Sequence, residues 1–346
     1  MRALTITGHG GVEQLVYRDD LPMPELRDAG DVLLRVQAAA LNHLDLYVLE
    51  GIPGVALTPD WVAGTDAVAI VEAVGAGVRG LAPGDRVVVN AGLSDRTCEY
   101  CLDGEQPLCP RYRVMGEHVS GLAAEHVVVP ATNVLKIPRE IPTPVAGAFA
   151  LAAMTAWRMV VSRAKVTAED DVLIWGIGGG VAQMALQICK ARGARVWVTS
   201  GSDEKLERAR GMGADELLNH ATEDVSAVIR ERTGKRGVTV VVDSVGEATW
   251  DRSLRALGRR GRLVTCGGTS GPMVRTDVRR LFWNQWSLLG STMANDEEFA
   301  AVTAEFSAGR LVPTVDSVHR LENGRDAYAR LLSGQHFGKV VIQVEE

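Results

Sequence analysis

The 346-residue sequence lacks an excess of positive charge, a tract of low complexity and a segment typical of a membrane span. Its 37 basic and 43 acidic residues give a net charge of −6, and only six of the basic residues are lysines. This balance argues against nucleic acid or an anionic membrane as a partner. The uncharged run Ile141–Trp157 is short for a transmembrane helix and contains Pro142 and Pro144, which indicates buried structure. No apolar signal segment follows Met1, and we expect a cytoplasmic protein.

Cysteine is also scarce, because the sequence holds only five, and three of them lie between residues 98 and 109. In a sequence without a signal segment, such crowding indicates a metal site rather than disulfides. Asp95, Cys98, Cys101 and Cys109 have a spacing with which two turns can close a tetrahedral zinc site on three thiolates and one carboxylate. We therefore predict one structural zinc ion per chain. A remnant site that has lost its metal is the alternative.

The chain is longer than the usual size of a domain with a single hydrophobic core, so the sequence predicts two domains. In the first part, short strands such as Val32–Val36, Val68–Val74 and Arg86–Val89 are separated by turn signals. This pattern predicts a compact, mostly antiparallel β unit. After about residue 140, strands alternate with helices, which predicts βαβ units around a parallel sheet. From about Ala294 the sequence returns to mixed structure.

A glycine cluster follows the predicted strand Asp171–Trp175 and precedes a predicted helix at Val181–Arg192. The next strand is predicted to begin at Arg195. Glycines between a strand and a helix let backbone N–H groups approach a pyrophosphate at the helix N-terminus. With this context, the cluster predicts a dinucleotide-binding turn, and an ordinary structural turn is the alternative.

The second strand of such a unit usually ends in an acidic residue when the dinucleotide is NAD, because the carboxylate holds the ribose 2′-hydroxyl. Here that position falls at Ser200, and Lys205 and Arg208 lie on the following helix. Asp203 is the rival acid, but it fits the first turn of the helix better. We therefore predict NADPH as the cofactor. The alternative is that the two basic residues only form a solvated helix face.

Several further motifs are similar to those of a known family. They are Pro59-x4-Gly64-Thr65-Asp66, Pro83-Gly84-Asp85-Arg86-Val87, Thr155-Ala156-Trp157 and Phe337-Gly338-Lys339-Val340-Val341. With the glycine turn and the cysteine cluster, they make the sequence resemble the medium-chain dehydrogenase/reductase superfamily over essentially its full length. The resemblance implies an α/β fold with a GroES-like β-rich catalytic domain at 1–140 and 294–346. A Rossmann domain, with its doubly wound parallel sheet, is expected at 141–293.

The sequence departs from this family at the catalytic zinc. In the zinc alcohol dehydrogenases of the superfamily, a Cys of the first domain and a Gly-His-Glu motif bind this ion. Here Asn42 stands at the Cys position and Thr65 at the His position. The soft thiolate and the imidazole are thus missing. A zinc ion held by His43, Asp66 and a third group remains an alternative.

The segment Asn42-x2-Asp45-x-Tyr47-x3-Gly51 resembles the quinone oxidoreductase and enoyl reductase branch, and with the zinc lobe it resembles the acryloyl-CoA-reductase-like subgroup. This implies hydride transfer from NADPH to an activated C=C bond, in an α,β-unsaturated carbonyl or thioester, or to a quinone, without catalytic zinc. Asn42, Asp45 and Tyr47 are the candidate catalytic residues. The Asn42 amide or backbone amides would stabilise the oxyanion, and Tyr47 or water would position the substrate or deliver the proton. The structural alternative is an Asx turn and a packed aromatic ring.

The resemblance also implies the cofactor contacts. Thr155 would contact the nicotinamide end, and Val245 lies at a strand end that would flank the cofactor. The other implied contacts are Gly178, Gly180 and Val181 at the pyrophosphate, Ser200, Ser202 and Lys205 at the 2′-phosphate, and Lys339 from the tail.

By the same resemblance, a homodimer is expected through an edge strand at Trp286–Ser291. Two other functions remain open at this stage. One is a zinc alcohol dehydrogenase with atypical ligands, and the other is a non-catalytic protein that binds NADPH.

Overall fold

The computed structural model describes residues 1–345. Two compact units divide the chain: unit 1 comprises Met1–Ala152 with Asn295–Glu346, and unit 2 comprises Ala153–Ala294. No helix within residues 1–345 is long and apolar enough to cross a membrane. The strands are β1 (Ala3–Ile6), β2 (Leu15–Arg18), β3 (Asp31–Ala40), β4 (Trp61–Val62), β5 (Asp66–Val74), β6 (Arg86–Val89), β7 (Gly92–Leu93), β8 (Arg113–Val114), β9 (His126–Pro130), β10 (Val134–Lys136), β11 (Asp171–Ile174), β12 (Arg195–Ser200), β13 (Glu216–Asn219), β14 (Val238–Asp243), β15 (Leu257–Thr265), β16 (Ser287–Gly290), β17 (Val315–Arg320) and β18 (Lys339–Gln343).

The helices follow the same numbering along the chain. They are α1 (His43–Glu50), α2 (Glu99–Leu102), α3 (Thr143–Gly147), α4 (Ala150–Trp157), α5 (Gly180–Ala191), α6 (Asp203–Gly211), α7 (Val225–Arg232), α8 (Trp250–Ala256), α9 (Val278–Asn284), α10 (Asp296–Ser307) and α11 (Gly324–Leu332). A π-helix at Arg158–Arg163 continues α4. Short 3₁₀ turns join several of these elements.

Unit 1 is organised around a seven-stranded sheet with the order β10-β6-β5-β3-β18-β17, to which β9 adds by pairing with β3. The pairs β3–β5, β3–β9, β5–β6 and β3–β18 are antiparallel. Along β3 the side chains of Val32, Leu34 and Val36 are buried and alternate with less buried neighbours. This alternation is typical of a strand with one face on a core, and it confirms the predicted β-rich domain.

Unit 2 contains a parallel sheet of six strands in the order β13-β12-β11-β14-β15-β16. In chain order this is 3-2-1-4-5-6, the strand order of the doubly wound dinucleotide-binding fold. Its core includes Leu173, Trp197 and Val241. Helix α5 buries Ala182 and Leu186 one turn apart, as a helix that covers a sheet requires. The predicted α/β fold class is therefore confirmed.

The helical stretch predicted from about Val145 to Val161 is present but divided. Helix α3 ends at Gly147, α4 begins at Ala150, and the π-helix follows it directly. Pro144 lies within the first turn of α3, where its missing N–H group costs no intrahelical hydrogen bond.

Candidate active site and metal centre

Five polar side chains of unit 1 form a buried cluster, which we call the Lys339 cluster: Asn42, Asp45, Thr65, Asp66 and Lys339. Their convergence follows from strand register. Val341 of β18 lies opposite Ala40 of β3, and Ala40 lies opposite Asp66 at the start of β5. Because both pairings are antiparallel, the start of β18, the end of β3 and the start of β5 meet at one edge of the sheet.

Two glycines that precede cluster residues have backbone angles that favour glycine. Gly64 has φ +93° before Thr65, and Gly338 has φ +108° before Lys339. A Cβ atom at Gly338 would collide with the carbonyl oxygen of Thr314. Only glycine fits at position 338, and the backbone conformation of Gly338 places the next residue, Lys339, in the cluster.

The hydrogen bonds of the cluster centre on Asp66 and Lys339. Lys339 Nζ donates to Asp66 Oδ2 at 3.0 Å and also to Asn42 Oδ1. Asn42 Nδ2 donates to Thr65 Oγ1 and to Asp66 Oδ2, both at 2.9 Å. Leu151 N donates to Asp66 Oδ1 at 2.7 Å. Both oxygens of Asp66 and both amide N–H bonds of Asn42 are thus engaged.

Asp45 joins the cluster from the first turn of α1. Its Oδ2 accepts hydrogen bonds from Asn42 N at 2.7 Å and from Thr65 Oγ1 at 3.0 Å. The carboxyl is 1% exposed, and burial raises its pKa to about 7, although the Asn42 N–H and the Lys339 charge oppose the shift. Asp45 therefore caps α1 and titrates near neutral pH.

Two other polar residues of α1 lie close to the cluster in sequence. Tyr47 is half-buried, and its hydroxyl oxygen is shielded from solvent. His43 is partly exposed, and its ring centroid lies 6.0 Å from that of the buried His336. The structure thus places the three predicted catalytic residues on α1 and at its N-terminal cap.

The glycine turn of unit 2 has the geometry of a dinucleotide-binding turn. Gly176 has φ +68°, and its N–H donates to Thr199 Oγ1 at 3.1 Å, so the ends of β11 and β12 are tied together. Helix α5 then begins at Gly180, and its first N–H groups lack intrahelical acceptors. Val245 lies beside the turn, since its Cγ2 would be 3.8 Å from a Cβ at Gly176. A pyrophosphate fits these donors.

The end of β12 carries no carboxylate. Ser200 is buried and accepts a hydrogen bond from Ser202 N at 3.1 Å, while Ser202 caps α6 by accepting from Lys205 N. Asp203 is exposed at the first position of α6, where its Oδ1 accepts from Asn219 Nδ2 at 2.6 Å. The rival acid of the sequence analysis is thus already engaged with an amide.

The remaining predicted cofactor contact of unit 2 is Thr155 on α4. The residue is 6% exposed, and its hydroxyl has no hydrogen-bond partner in the described part of the chain. A polar group of a bound cofactor would fit such an unpartnered buried hydroxyl.

The predicted zinc lobe comes together in unit 1. One ligand atom from each of Asp95, Cys98, Cys101 and Cys109 lies within 4.8 Å of all the others. Asp95 Oδ1 accepts the N–H groups of Thr97 and Cys98 at 2.8 and 2.9 Å. Asp95 Oδ2 is buried and has no hydrogen-bond partner among residues 1–345, and its ion-pair contact with Arg111 Nε is long, at 3.6 Å. The carboxylate therefore offers one oriented oxygen to the three sulfurs, and the set fits a tetrahedral zinc ion.

The surroundings of Cys109 favour the thiolate form that binds zinc. Burial raises its pKa, but the N–H groups of Asp95 and Arg111, at 3.5 and 3.4 Å, and the neighbouring thiols lower it more. Hydrogen bonds to sulfur that favour the thiolate also favour metal binding.

The sequence marks Asn42, Asp45 and Lys339 as separate candidates, and nothing in it connects them. Thr65 and Asp66 stand there only in the place of zinc ligands, and Lys339 is predicted to contact the cofactor. The motif around Gly338 was the available signal, yet nothing local in a sequence pairs residue 339 with residue 66. The cofactor contacts and catalytic roles stay predictions.

The comparisons with known proteins cover nearly the whole chain. Residues 28–139 match the alcohol dehydrogenase GroES-like domain, and residues 180–308 match the zinc-binding dehydrogenase family. The chain is 32% identical to an alcohol dehydrogenase of Geobacillus stearothermophilus, over 91% of this chain and 93% of that one. It is 31% identical to the acryloyl-coenzyme A reductase of Metallosphaera sedula, over 99% of both chains.

A crystal structure of a NAD-dependent alcohol dehydrogenase is also similar to this chain. It superposes with a TM-score of 0.95 at 41% sequence identity and covers 100% of both chains. The similar proteins thus include both alcohol dehydrogenases and a reductase of an unsaturated thioester.

Proposed function

The chain belongs to the medium-chain dehydrogenase/reductase superfamily, as predicted, and within this family of oxidoreductases we propose that it is an NADPH-dependent reductase without catalytic zinc. The proposed substrates are C=C bonds conjugated to a carbonyl or thioester, or quinones. The acryloyl-coenzyme A reductase among the relatives supports this substrate class.

The observation that carries the proposal is the Lys339 cluster. Where the zinc alcohol dehydrogenases have a Cys and a His ligand, this chain has Asn42 and Thr65, which offer a neutral amide and a hydroxyl. The remaining carboxylate, Asp66, is already ion-paired with Lys339 at 3.0 Å. A divalent cation at this depth would compete with the ammonium group for Asp66 and be repelled by it. This donor set does not fit a catalytic zinc ion.

A conjugated substrate has less need of a Lewis acid. When bound, NADPH supplies a hydride from C4 of its nicotinamide ring. If the β-carbon receives the hydride, the electron pair moves to an enolate or hydroquinone oxygen, and a hydrogen-bond donor or fixed positive charge can stabilise it there. Tyr47 would position the substrate or deliver the proton to the α-carbon, with water as the alternative donor.

The choice of NADPH is supported by the end of β12. Ser200 and Ser202 bring hydroxyl groups and no negative charge to this strand end, the Asp203 carboxylate accepts from Asn219, and Lys205 supplies a positive charge on α6. We expect Lys205→Ala to weaken NADPH binding by about 10–100-fold and to leave NADH binding nearly unchanged, because one phosphate contact is worth roughly 1.5–3 kcal/mol. Lys190→Ala is the matched control, since Lys190 is ion-paired with Asp215 on the same unit. Tighter binding of NADH than NADPH by the wild type would contradict this part of the proposal.

We also propose that the zinc lobe holds one structural zinc ion, bound by Asp95, Cys98, Cys101 and Cys109.

We further propose that the chain forms a homodimer through β16. Residues Ser287–Gly290 form the outer strand of the six-stranded sheet in unit 2. An unpaired edge of this kind can continue into the sheet of a second copy.

The central experiment compares two reactions of the purified protein. We expect NADPH oxidation with an enoyl thioester, an enone or a quinone, and we expect chelators of accessible zinc to leave it intact. The zinc content should be about one ion per chain, held by the lobe. Chelator-sensitive oxidation of simple alcohols with NAD or NADP, together with about two zinc ions per chain, would favour a zinc alcohol dehydrogenase instead. Tight NADPH binding without turnover of any acceptor would favour a non-catalytic protein.

A further inference from the structure

The ammonium group of Lys339 has three N–H bonds, and two of them have acceptors within the described residues. Of its three N–H bonds, one is directed to Asp66 Oδ2 and one to Asn42 Oδ1, and no third partner occurs among residues 1–345. The side chain is 4% exposed. A buried ammonium group with an unused donor is costly unless a ligand or water accepts from it.

The cluster holds this group in a fixed position. Asp66 is anchored by the backbone of Leu151, and the Asn42 carbonyl is turned towards Lys339 because the Asn42 N–H bonds go to Thr65 and Asp66. Asn42 thus has no free amide N–H for an oxyanion. The donor that remains belongs to Lys339, which is hydrogen-bonded to Asn42 at the Cys position of the family and to Asp66 beside the His position.

From this arrangement, and resting on the proposed function, we infer that Lys339 is a catalytic residue whose free N–H bond donates to the carbonyl oxygen of the substrate. The new C–H bond would form at the β-carbon, with the hydride that bound NADPH would supply. The π electrons of the C=C bond move through the α-carbon onto the oxygen, which Lys339 stabilises. A proton from water or Tyr47 then adds to the α-carbon and restores the carbonyl. Hydride and proton together would bring two electrons and two hydrogens to the alkene, and bound NADPH would be oxidised to NADP.

Asp66 and Asn42 are positioning residues in this scheme. They orient the ammonium group, because Asp66 Oδ2 and Asn42 Oδ1 each accept one of its N–H bonds. A fixed monocation of this kind provides part of the stabilisation that zinc provides in the alcohol dehydrogenases. That is sufficient for conjugate reduction, where the developing charge is delocalised.

The inference is tested without turnover by a coloured enal, p-dimethylaminocinnamaldehyde, whose absorption band moves to longer wavelength when its carbonyl oxygen is polarised. We expect a red shift on binding to the wild type without cofactor, unchanged by chelators. Lys339→Met should abolish the shift, whereas Lys136→Met, which removes a surface ion pair with Asp85, should retain it. Persistence of the shift in Lys339→Met, or its absence in the wild type, would overturn the inference.

Turnover supplies the second readout. Removal of one oxyanion donor typically lowers kcat by about 10²–10³-fold, and we expect this loss in Lys339→Met with the Kd for NADPH unchanged. If instead the Kd for NADPH rises and kcat at saturating NADPH is unchanged, Lys339 contacts the cofactor. If Lys339→Met fails to fold, the charge-neutral double variant Lys339→Met/Asp66→Asn replaces it in both assays. A chelator-sensitive red shift would reject the zinc-free function itself, a result distinct from the failure of Lys339 alone.

Discussion

Lys339 Nζ lies 3.0 Å from Asp66 Oδ2, and the two side chains are 4% and 0% exposed, so unit 1 contains a buried ion pair. Removal of one partner of such a pair leaves an uncompensated charge in a low-dielectric environment. The pair therefore links the stability of unit 1 to the geometry of the proposed site.

The first prediction concerns this pair. We expect Asp66→Asn and Lys339→Met each to lower the free energy of unfolding by about 3–5 kcal/mol, measured by denaturant titration. The double variant should recover most of the loss, because a neutral Asn beside a Met leaves no unpaired charge. Lys136→Met, at the half-exposed pair with Asp85, should cost no more than about 1 kcal/mol. Additive losses in the double variant would show that the two side chains are not energetically coupled.

The second prediction concerns the pH dependence of stability. The pKa of Asp45 is raised by burial to about 7. In the unfolded chain it should lie near 4. Between these values the folded protein retains a proton that the unfolded chain has released, so stability falls as pH rises through this window and the loss is complete above it. Asp45→Asn cannot ionise, and its stability relative to the wild type should increase by up to roughly 4 kcal/mol from pH 4 to pH 8.

Other charges bear on this titration. The carboxyl is surrounded by Lys339, which lowers the pKa of Asp45, and by Asp66, which raises it. Tyr328 of α11 is buried, and burial and the Asp45 charge raise its own pKa well above the usual value, so it stays neutral. Asp85→Asn is the matched control, because the hydrogen bond from Lys136 lowers the pKa of Asp85. The stability of Asp85→Asn relative to the wild type should therefore fall as the pH rises, opposite in sign to Asp45→Asn. A constant difference between Asp45→Asn and the wild type over this pH range would contradict the prediction.

The sequence was sufficient for the features that depend on local pattern. The alternation in β3, the strand–glycine–helix order around Gly178 and the spacing of Cys98, Cys101 and Cys109 each predict a structure that is observed. The residues that make up each signal lie close together in the sequence, so neither strand register nor tertiary packing is needed to interpret it.

The Lys339 cluster could not be predicted in the same way. Lys339 and Asp66 are 273 residues apart, and only the pairing of β18 with β3 and of β3 with β5 brings them together. The hydrogen-bond role of Asn42 likewise depends on Lys339, because the ammonium group attracts the amide oxygen and directs the amide N–H bonds to Thr65 and Asp66. Side-chain partners of this kind are a property of tertiary structure.

The third prediction concerns the zinc lobe. Asp95 supplies an oxygen where the family has sulfur, and sulfur is the stronger ligand for zinc. We expect Asp95→Cys to slow zinc release to a chelator and Asp95→Ala to accelerate it, followed with a zinc-sensitive dye. Cys266→Ala should have no effect, since Cys266 lies in unit 2 outside the lobe. Wild-type protein that binds no zinc, even when supplied with the ion, would show that the lobe is a remnant.

The fourth prediction concerns the proposed dimer. Phe282 and Trp283 on α9 are 63% and 73% exposed, although large aromatic side chains are usually buried. Helix α9 leads into β16, the edge strand of the parallel sheet, so an exposed apolar surface and an open edge adjoin in sequence. This combination is typical of a surface that a second copy covers.

We therefore expect sedimentation to show a dimer of the wild type and a monomer of Phe282→Asp/Trp283→Asp. Burial of two aromatic side chains is worth roughly 3–6 kcal/mol for each copy, and the two carboxylates that each copy of the variant carries would add repulsion between copies. Leu332→Asp is the matched control, because Leu332 is 56% exposed on α11 of unit 1. A monomeric wild type at micromolar concentration would contradict the dimer. A dimer that survives in the double variant would place the interface on another surface.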